Sequence, residues 1–452
     1  MVRRGIYAAG RYGYYCYGLF FFRNLLQYTV AGIGVRLCLC ANALRCKACQ
    51  VQPQQFQTGF SIIPMQNLID ATKSVFTKQY GVEPVWLVAA PGRVNIIGEH
   101  TDYNDGFVFP MAIERYTVIA AAPGAGSEST VFSVNKNGTA AILTDGSSMP
   151  PEKVVWSSYV QGTVQYALEA GLKAKPFRAV VNSDVPLGGG LSSSASLEVA
   201  VATLIEAMTG QPFEPVQKAL ICQKAEHNYA KMPCGIMDQL IAVMGQAGHA
   251  MLLDCRSKQP KMIPMNDPNV SVLIVNSNVK HELTGSEYPD RRRQCEKAAQ
   301  LLGVPMLRDA TLPQLESARS RFNQETDGDL CYRRAKHVIT ENDRTTAMAT
   351  ALTKKDWATC GQLMGASHQS MKEDFEITCS EIDCLVEIAQ SVDGVIGSRM
   401  TGGGFGGCTV SLIETNRTAE ILDTITSRYQ SATGIAPTAF VTQPAQGAKI
   451  LL

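Results

Sequence analysis

The sequence predicts a globular protein that mixes strands with helices, and three observations support this fold class. The chain has 452 residues with 45% apolar content, which is ordinary for a globular protein and suggests two or three domains. Residues 177–183 are β-branched and partly alternating, as in a strand, and residues 197–208 repeat apolar side chains at helical spacing. Residues 85–90 form another strand-like apolar run, so strands and helices recur along the chain.

The turn between the strand at residues 177–183 and the helix that follows it, Pro186–Glu198, is rich in glycine and serine. Three consecutive glycines from Gly188 let the main chain approach a polyphosphate without Cβ atoms in the way. The following helix begins with unpaired N–H groups and partial positive charge, so it attracts phosphate. Three serines from Ser192 add hydroxyls for phosphate or a metal. The loop lacks the ending of a Walker A motif, and the alternative is an ordinary Gly/Ser-rich turn.

Composition limits the partners and the compartment. The net charge of +1 gives no case for binding nucleic acid or an acidic surface. The fourteen cysteines show no small-domain disulfide pattern, so we expect free thiols in a reducing compartment and a cytoplasmic protein.

The first sixty residues differ from the rest. Residues 1–69 contain no Asp or Glu but seven Lys and Arg. A transit peptide fits the arginines but not the lack of serine before Ser61, and the uncharged stretch Asn24–Val35 is too short for a membrane anchor. The four cysteines of residues 38–49 do not have a usual zinc spacing. We favour an unstructured or artefactual extension with Met65 as an alternative start.

A second chemical signal lies in Pro91–Gly106, expected as a loop after the strand-like run. It concentrates Arg93, Glu99, His100 and Asp102 within ten residues. Such a mixture of carboxylates, imidazole and guanidinium suits a site for the hydroxyls of a small polyol, and the alternative is a solvated turn.

Two more segments complete the pattern. Residues 215–232 predict a helix carrying Glu226, and Cys234 opens another helical run with Asp238 in its first turn, where the helix dipole favours an acid. The five glycines of residues 401–409 indicate a loop that packs against a ligand or another backbone. The middle of the chain, about 299–373, reads as mostly helical and gives no chemical signal.

Four of these motifs carry a resemblance to a known family. Pro91–Gly106 resembles the signature of the galactokinases, Pro186–Ser196 the nucleotide loop, and Thr401–Thr409 the third motif of the GHMP small-molecule kinases. Cys234–Gln239 is similar to the galactokinase pattern around the active-site aspartate. The resemblance covers Ile62 to Leu452 and excludes the first sixty residues.

The resemblance implies an α+β fold with an S5-like N-terminal domain, a ferredoxin-like C-terminal domain and an active site between them. We therefore predict an extension over 1–60, an N-terminal kinase domain over 61–255 and a C-terminal domain over 256–452. The implied reaction transfers the γ-phosphoryl group of ATP to the anomeric hydroxyl of α-D-galactose, with Mg²⁺. The expected partners are these small molecules, without nucleic acid or membrane, and the protein is expected to be a monomer or weak homodimer.

The resemblance also implies a role for each matching residue. Arg93 and Asp238 carry catalysis. The sugar is held by Arg93, Glu99, His100, Asp102, Asp238 and Tyr288. ATP is held by Gly188, Gly190, Ser192, Ser193 and Trp156, and Mg²⁺ by Ser194 and Glu226.

Two alternatives stay open. An N-acetylgalactosamine kinase has similar motifs, although Pro233–Gln239 is more similar to the galactose branch. A non-catalytic sensor that binds galactose and ATP is the other, although such sensors have lost residues from the serine loop, which is intact here at Ser194 and Ala195.

Overall fold

The computed structural model describes residues 65–124, 128–279 and 287–452, and the extension predicted over 1–60 lies outside them. Helices α1 to α6 span Met65–Tyr80, Trp156–Glu169, Ser193–Thr209, Pro215–Asn228, Met237–Met244 and Glu287–Leu302. Helices α7 to α12 span Leu312–Ser317, Arg319–Phe322, Gly328–Thr353, Trp357–Ser370, Ser380–Gln390 and Thr418–Thr433.

Strands β1 to β7 span Trp86–Asn95, Phe107–Val108, Pro110–Pro123, Ser129–Ser133, Gly138–Ile142, Phe177–Ser183 and His249–Asp254. Strands β8 to β13 span Gln259–Pro264, Val270–Asn276, Val395–Thr401, Cys408–Glu414, Thr438–Thr442 and Lys449–Ile450. They form a six-stranded sheet in the order β13-β1-β3-β6-β4-β5, a four-stranded sheet β10-β11-β9-β12 and a three-stranded sheet β2-β7-β8. Only the pairing of β4 with β6 is parallel among these described strands.

The mixed class is confirmed, and the two larger sheets pack against helices. The six-stranded sheet packs on α2, α3 and α4 through side chains such as Val164, Val199 and Ile221. The four-stranded sheet packs on α11 and α12 through Leu385 and Ile425. Burial of apolar surface is the main stabilising contribution in both layers. The division near residue 255 stays a prediction, since the described residues belong to one compact unit.

The predicted elements around the motifs agree with the structure, with three corrections. Helix α3 is followed by Gly210, whose φ of +68° is typical of a C-cap glycine. The helix predicted over 215–232 already ends at Asn228, and the helical run predicted from Cys234 begins at Met237. Strand β1 does not stop at residue 90 but continues to Asn95, so Arg93 lies on a strand rather than on a loop. The pairing register of β1 with β3 shifts between Pro91 and Arg93, and this irregularity lets the turn-forming residues Pro91 and Gly92 stay within the sheet.

All nine cysteines among the described residues are free thiols, as predicted for that part of the chain. Within the same residues, no helix combines the length and apolar character needed to cross a membrane.

Candidate active site

A cavity of about 320 Å³ brings together every predicted site residue except Trp156. Its walls come from β1, the loop after it, the glycine-serine loop, α5, α6 and the second glycine-rich loop. The predicted residues that line it are Arg93, Glu99, His100, Asp102, Gly188, Gly190, Ser192, Ser193, Ser194, Glu226, Asp238 and Tyr288.

Trp156 lines a neighbouring cavity of about 360 Å³. It is the first residue of α2, and it shares this second cavity with the apolar side chains of Val155 and Leu187. The two cavities have Ser193 and Ser194 in common, so they adjoin at the glycine-serine loop. A chamber rich in charged side chains and a second one with several apolar side chains thus adjoin at that loop.

At the centre of the first cavity, Arg93 forms a two-point ion pair with Asp238. The Arg93 Nε and Nη2 atoms each lie 2.7 Å from one carboxylate oxygen, while Nη1 donates to the Gly190 carbonyl at 2.5 Å. Burial alone favours the neutral guanidine, but the carboxylates of Asp238 and Glu99 raise the pKa of Arg93. Arg93 is only 5% exposed, so its charge and orientation are fixed by these partners.

The glycine-serine loop adopts a conformation that few residues tolerate. Gly188 and Gly190 both have φ +72°, and Ser192 has φ +59°. The Ser192 hydroxyl donates to Asp238 and makes no cap hydrogen bond to α3. Helix α3 therefore starts at Ser193, next to the cavity, with its first amide groups uncapped by that side chain.

The second glycine-rich loop connects β10 to β11 and packs directly on the first. A Cβ atom on Gly402 would lie 2.6 Å from the Gly190 carbonyl oxygen, and one on Gly407 would lie 3.2 Å from that of Gly189. The predicted contact of this loop with another backbone is confirmed. Any side chain at Gly402 would push the two loops apart.

Residues Gly98–Phe107, which lead from β1 into the first residue of β2, form what we call the acidic loop. His100 has φ +60° in this loop and is 5% exposed. Its Nε2–H group donates to the Gly403 carbonyl at 3.2 Å, and its Nδ1 atom accepts from the Tyr103 hydroxyl at 2.7 Å. Burial lowers the pKa of His100 to about 3, so the imidazole is neutral in this position.

The two carboxyl groups of the acidic loop that line the cavity both have raised pKa values. Burial raises the pKa of Glu99, although Arg399 lies 3.4 Å away and the Gly402 amide donates to Glu99 at 2.9 Å. Burial, followed by the Asp238 carboxylate, raises the pKa of Asp102 to about 7. A Cβ atom on Gly235 would lie 1.9 Å from Asp102 Oδ2, so the absence of a side chain there sets the position of Asp102.

Tyr288 closes the cavity over the acidic loop. Its ring centroid lies 5.0 Å from that of His100 and 5.6 Å from that of Tyr103. Contacts of this kind favour tilted or edge-on rings and hold the three side chains in fixed orientations. The neighbouring Arg291 and Arg292 donate to backbone carbonyls at residues 375, 376 and 233.

Glu226 and Ser194 lie together on the other side of the cavity. The Gln239 amide donates to Glu226 at 2.6 Å. Burial raises the pKa of Glu226 to about 7, which a hydrogen bond from Ser194 partly opposes. A carboxylate and a hydroxyl are hard oxygen donors of the type that Mg²⁺ takes alongside phosphate oxygens and water. Among the described residues no group of three or more His, Cys, Asp or Glu could hold a metal ion.

Several buried polar residues around the cavity were not predicted. Glu198 and Gln239 are fully buried behind Glu226, and Arg399 is fully buried behind Glu99. Glu198 ends the glycine-serine segment and Arg399 lies two residues before the second glycine-rich segment, and their charge in otherwise apolar or glycine-rich surroundings is the available signal. The segment read as chemically silent also supplies His337 and Glu341, both with 0% exposure.

Family models match three parts of the chain. Residues 74–123 match the galactokinase galactose-binding signature, residues 158–246 the GHMP kinase N-terminal domain and residues 348–430 the GHMP kinase C-terminal domain. The fold and the site therefore define a small-molecule kinase of the GHMP class.

Comparison with curated relatives identifies the family within this class. Galactokinase from Canis lupus familiaris is 45% identical over 390 residues, which cover 85% of this chain and 97% of the canine protein. Galactokinase from Homo sapiens is 46% identical over 401 residues, with the same shares of the two chains. The chain belongs to the galactokinase family, and the resemblance predicted from its motifs is confirmed.

Solved structures agree with the family. Lactococcus lactis galactokinase complexed with galactose superposes with a TM-score of 0.77 at 30% identity, covering 84% of this chain and 99% of the bacterial one. A mevalonate kinase superposes with a TM-score of 0.57 at 16% identity, which bears on the fold alone. The predicted GHMP kinase fold is confirmed.

Proposed function

We propose that this chain transfers the γ-phosphoryl group of ATP to the C1 hydroxyl of α-D-galactose, giving galactose 1-phosphate and ADP. The ion pair of Arg93 with Asp238 carries the proposal, because it lies in the cavity between the acidic loop and the glycine-serine loop. One loop offers partners for sugar hydroxyls and the other offers partners for phosphates, so the pair lies where the two substrates have to meet.

The sugar occupies the chamber lined by the acidic loop. Carboxyl groups of Glu99 and Asp102, the His100 imidazole and the Tyr288 hydroxyl provide hydrogen-bonding groups on converging walls. Arg93 and Asp238 complete the sugar site at the end nearest the glycine-serine loop. This placement puts the C1 hydroxyl beside Asp238.

ATP binds along the glycine-serine loop. Gly188 and Gly190 let the phosphates approach the main chain, and Ser192 and Ser193 supply hydroxyls at the start of α3. The adenine enters the neighbouring apolar cavity against Trp156. The γ-phosphoryl group then points toward the sugar chamber.

In the reaction, Asp238 accepts the proton of the C1 hydroxyl while that oxygen bonds to the γ-phosphorus and the bond to the β-phosphate oxygen breaks. A sugar hydroxyl is a poor nucleophile at neutral pH, so a carboxylate within hydrogen-bonding distance promotes attack. Arg93 orients Asp238 through two hydrogen bonds and offsets negative charge on the transferring group. The protein's contribution is mainly positioning and electrostatics.

Ser194 and Glu226 are the residues that would hold Mg²⁺ with the phosphates of ATP. When bound, Mg²⁺ neutralises phosphate charge during phosphoryl transfer. Glu226 is itself held by Gln239, which fixes the carboxylate toward the cavity.

A single assay tests the proposal against its alternatives. ADP formation is measured with purified protein, ATP and Mg²⁺, and with galactose, N-acetylgalactosamine or no sugar. We expect ADP formation with galactose and little with the other two. Preference for N-acetylgalactosamine indicates the sister enzyme. Binding of galactose and ATP without ADP formation indicates a non-catalytic sensor.

We also propose a cytoplasmic enzyme that is a monomer or weak homodimer, with kinase domains over 61–255 and 256–452. The free thiols of the described residues support a reducing compartment. Light scattering over a range of protein concentrations tests the oligomeric state.

A further inference from the structure

Helix α9 holds the acidic loop from the side opposite the cavity. The Glu341 Oε1 atom accepts the Gly98 amide proton at 2.9 Å. One turn earlier on the helix, the His337 Nε2–H group donates to the Glu99 carbonyl at 3.1 Å. The first two residues of the acidic loop are thus bound through their main-chain atoms to two side chains of one helix.

The far end of the loop is bound by the next residue of α9. The Asn342 Oδ1 atom accepts the Phe107 amide proton at 2.8 Å. A Cβ atom on Gly106 would lie 2.3 Å from the same Oδ1 atom, so the loop and the helix are in close contact here. Both ends of the acidic loop are therefore hydrogen-bonded to side chains of α9.

These side chains are themselves firmly held. Burial would raise the pKa of Glu341, but Arg344 and Arg399 help to lower it to about 2, and the Ser367 hydroxyl donates to it at 2.6 Å. Burial lowers the pKa of His337 to about 4, and its Nδ1 atom accepts from Ser370 at 2.9 Å. A charged acceptor and a neutral imidazole donor are what the two loop contacts require.

We propose that His337, Glu341 and Asn342 are positioning residues of the sugar site. None of the three lines the cavity, and all three bind the main chain of the loop that presents Glu99, His100 and Asp102 to it. Their action fixes the ends of the loop, so that a displacement of the main chain moves the sugar-binding side chains together. The inference rests on the proposed function of the cavity.

Two substitutions remove one contact each. His337→Phe keeps a ring but loses the donor to the Glu99 carbonyl, and Asn342→Leu keeps the size but loses the acceptor for the Phe107 amide. An unpaired buried polar group weakens the loop's position, and we expect the galactose KM to rise by about tenfold. The ATP KM should stay within about twofold, because the glycine-serine loop makes no contact with these side chains.

Conservative variants and a surface variant serve as controls. His337→Gln restores a side-chain N–H donor, and Asn342→Asp restores the acceptor, so each should return the galactose KM toward that of wild type. Asp343→Leu introduces the same leucine at the next position of α9, where the side chain is exposed, and should leave both KM values unchanged.

The measurements are the two KM values and kcat from ADP formation, with galactose binding checked by calorimetry. An unchanged galactose KM in a folded Asn342→Leu protein, or equal rises in both KM values, overturns the positioning role. If His337→Phe does not fold, the comparison of Asn342→Leu with Asn342→Asp decides whether the positioning role holds. If wild-type protein forms no galactose-dependent ADP, the proposed function fails first and the inference falls with it.

Discussion

Arg93 and Asp238 are joined by two hydrogen bonds of 2.7 Å although 145 residues separate them in the chain. One lies on a strand of the six-stranded sheet and the other in the first turn of a short helix. The glycine-serine loop adds the Gly190 carbonyl to Arg93 and the Ser192 hydroxyl to Asp238. Three distant segments therefore fix one charged pair, and changes to it test the proposed chemistry directly.

Asp238→Asn should reduce kcat by roughly 10²–10⁴-fold, the usual contribution of a general base. The amide has the shape of the carboxyl group and still accepts a hydrogen bond from Arg93, but it is a far weaker proton acceptor. ATP affinity, measured by a binding titration, should stay close to that of wild type. Asp343→Asn, at an exposed position, is the matched control. Activity within about tenfold of wild type would show that Asp238 does not take the proton.

Asp102→Ala should raise the galactose KM and narrow the discrimination between galactose and glucose, which differ only at C4. A site that hydrogen-bonds a particular hydroxyl leaves a buried group unpaired when that hydroxyl is inverted, at a cost of about 1–3 kcal/mol. Wild-type enzyme should therefore prefer galactose by at least about tenfold. Steady-state kinetics on both sugars provide the measurement. A variant with the wild-type preference would exclude Asp102 from sugar recognition.

Asp102 should also make the ligand-free protein less stable as the pH rises. Its pKa is about 7 in the folded chain against 3.8 for an unperturbed aspartate, so the folded state binds a proton that the unfolded state has lost between these values. Unfolding then releases a proton, and its free energy falls as pH increases through that interval. Asp102→Asn removes this contribution. The difference in Tm between wild type and variant, recorded from pH 4 to 8, should shift in favour of the variant as pH rises, and a constant difference would contradict the assignment.

Trp156→Ala should raise the ATP KM without a comparable change in the galactose KM. The indole lines the apolar cavity next to the glycine-serine loop and is absent from the walls of the sugar chamber. Loss of a base-stacking aromatic side chain costs about 1–3 kcal/mol, or roughly tenfold in affinity. Trp156→Phe keeps an aromatic face, and its ATP KM should lie between those of wild type and Trp156→Ala. Equal effects on both substrates would argue against an adenine site there.

Gly235→Ala should impair sugar binding although glycine 235 has no side chain of its own to offer. The added Cβ would lie 1.9 Å from Asp102 Oδ2, so the carboxyl group has to move. Gly138→Ala is the control, because the nearest atom to its Cβ is 3.7 Å away. Galactose KM is the readout. If Gly235→Ala binds galactose as wild type does, the position of Asp102 is not critical.

The glycine-serine loop, the acidic residues and Asp238 could be predicted because their residue types are restrictive. Glycines with positive φ, a run of hydroxyls and a C-cap glycine mark local conformations that few other residues adopt. The sequence predicts a loop at Arg93, which follows the turn-forming residues Pro91 and Gly92. A register shift in the pairing of β1 with β3 accommodates them instead, and local sequence does not encode that tertiary pairing.

The contacts of α9 with the acidic loop could not be predicted from the sequence, for a different reason. The 3.6-residue periodicity of residues 328–353 indicates a helix, and a histidine or glutamate within it is ordinary. Their partners in the acidic loop are far away in sequence: His337 and the Glu99 carbonyl are 238 residues apart. Only the packed chain shows that this face of the helix meets main-chain atoms rather than solvent.

The hydrogen bond from the Gly402 amide to Glu99 spans 303 residues, and this separation has a consequence for the chain during synthesis. At 5–20 residues per second, the acidic loop is synthesised roughly 15–60 s before the second glycine-rich loop. During that interval Glu99 lacks both the Gly402 amide and the Arg399 guanidinium, so the nascent chain holds a carboxyl group that has to stay hydrated. The sugar chamber cannot close while translation is still upstream of residue 402. A ribosome stalled between residues 238 and 402 would carry strand β1, the glycine-serine loop and Asp238 but no complete cavity.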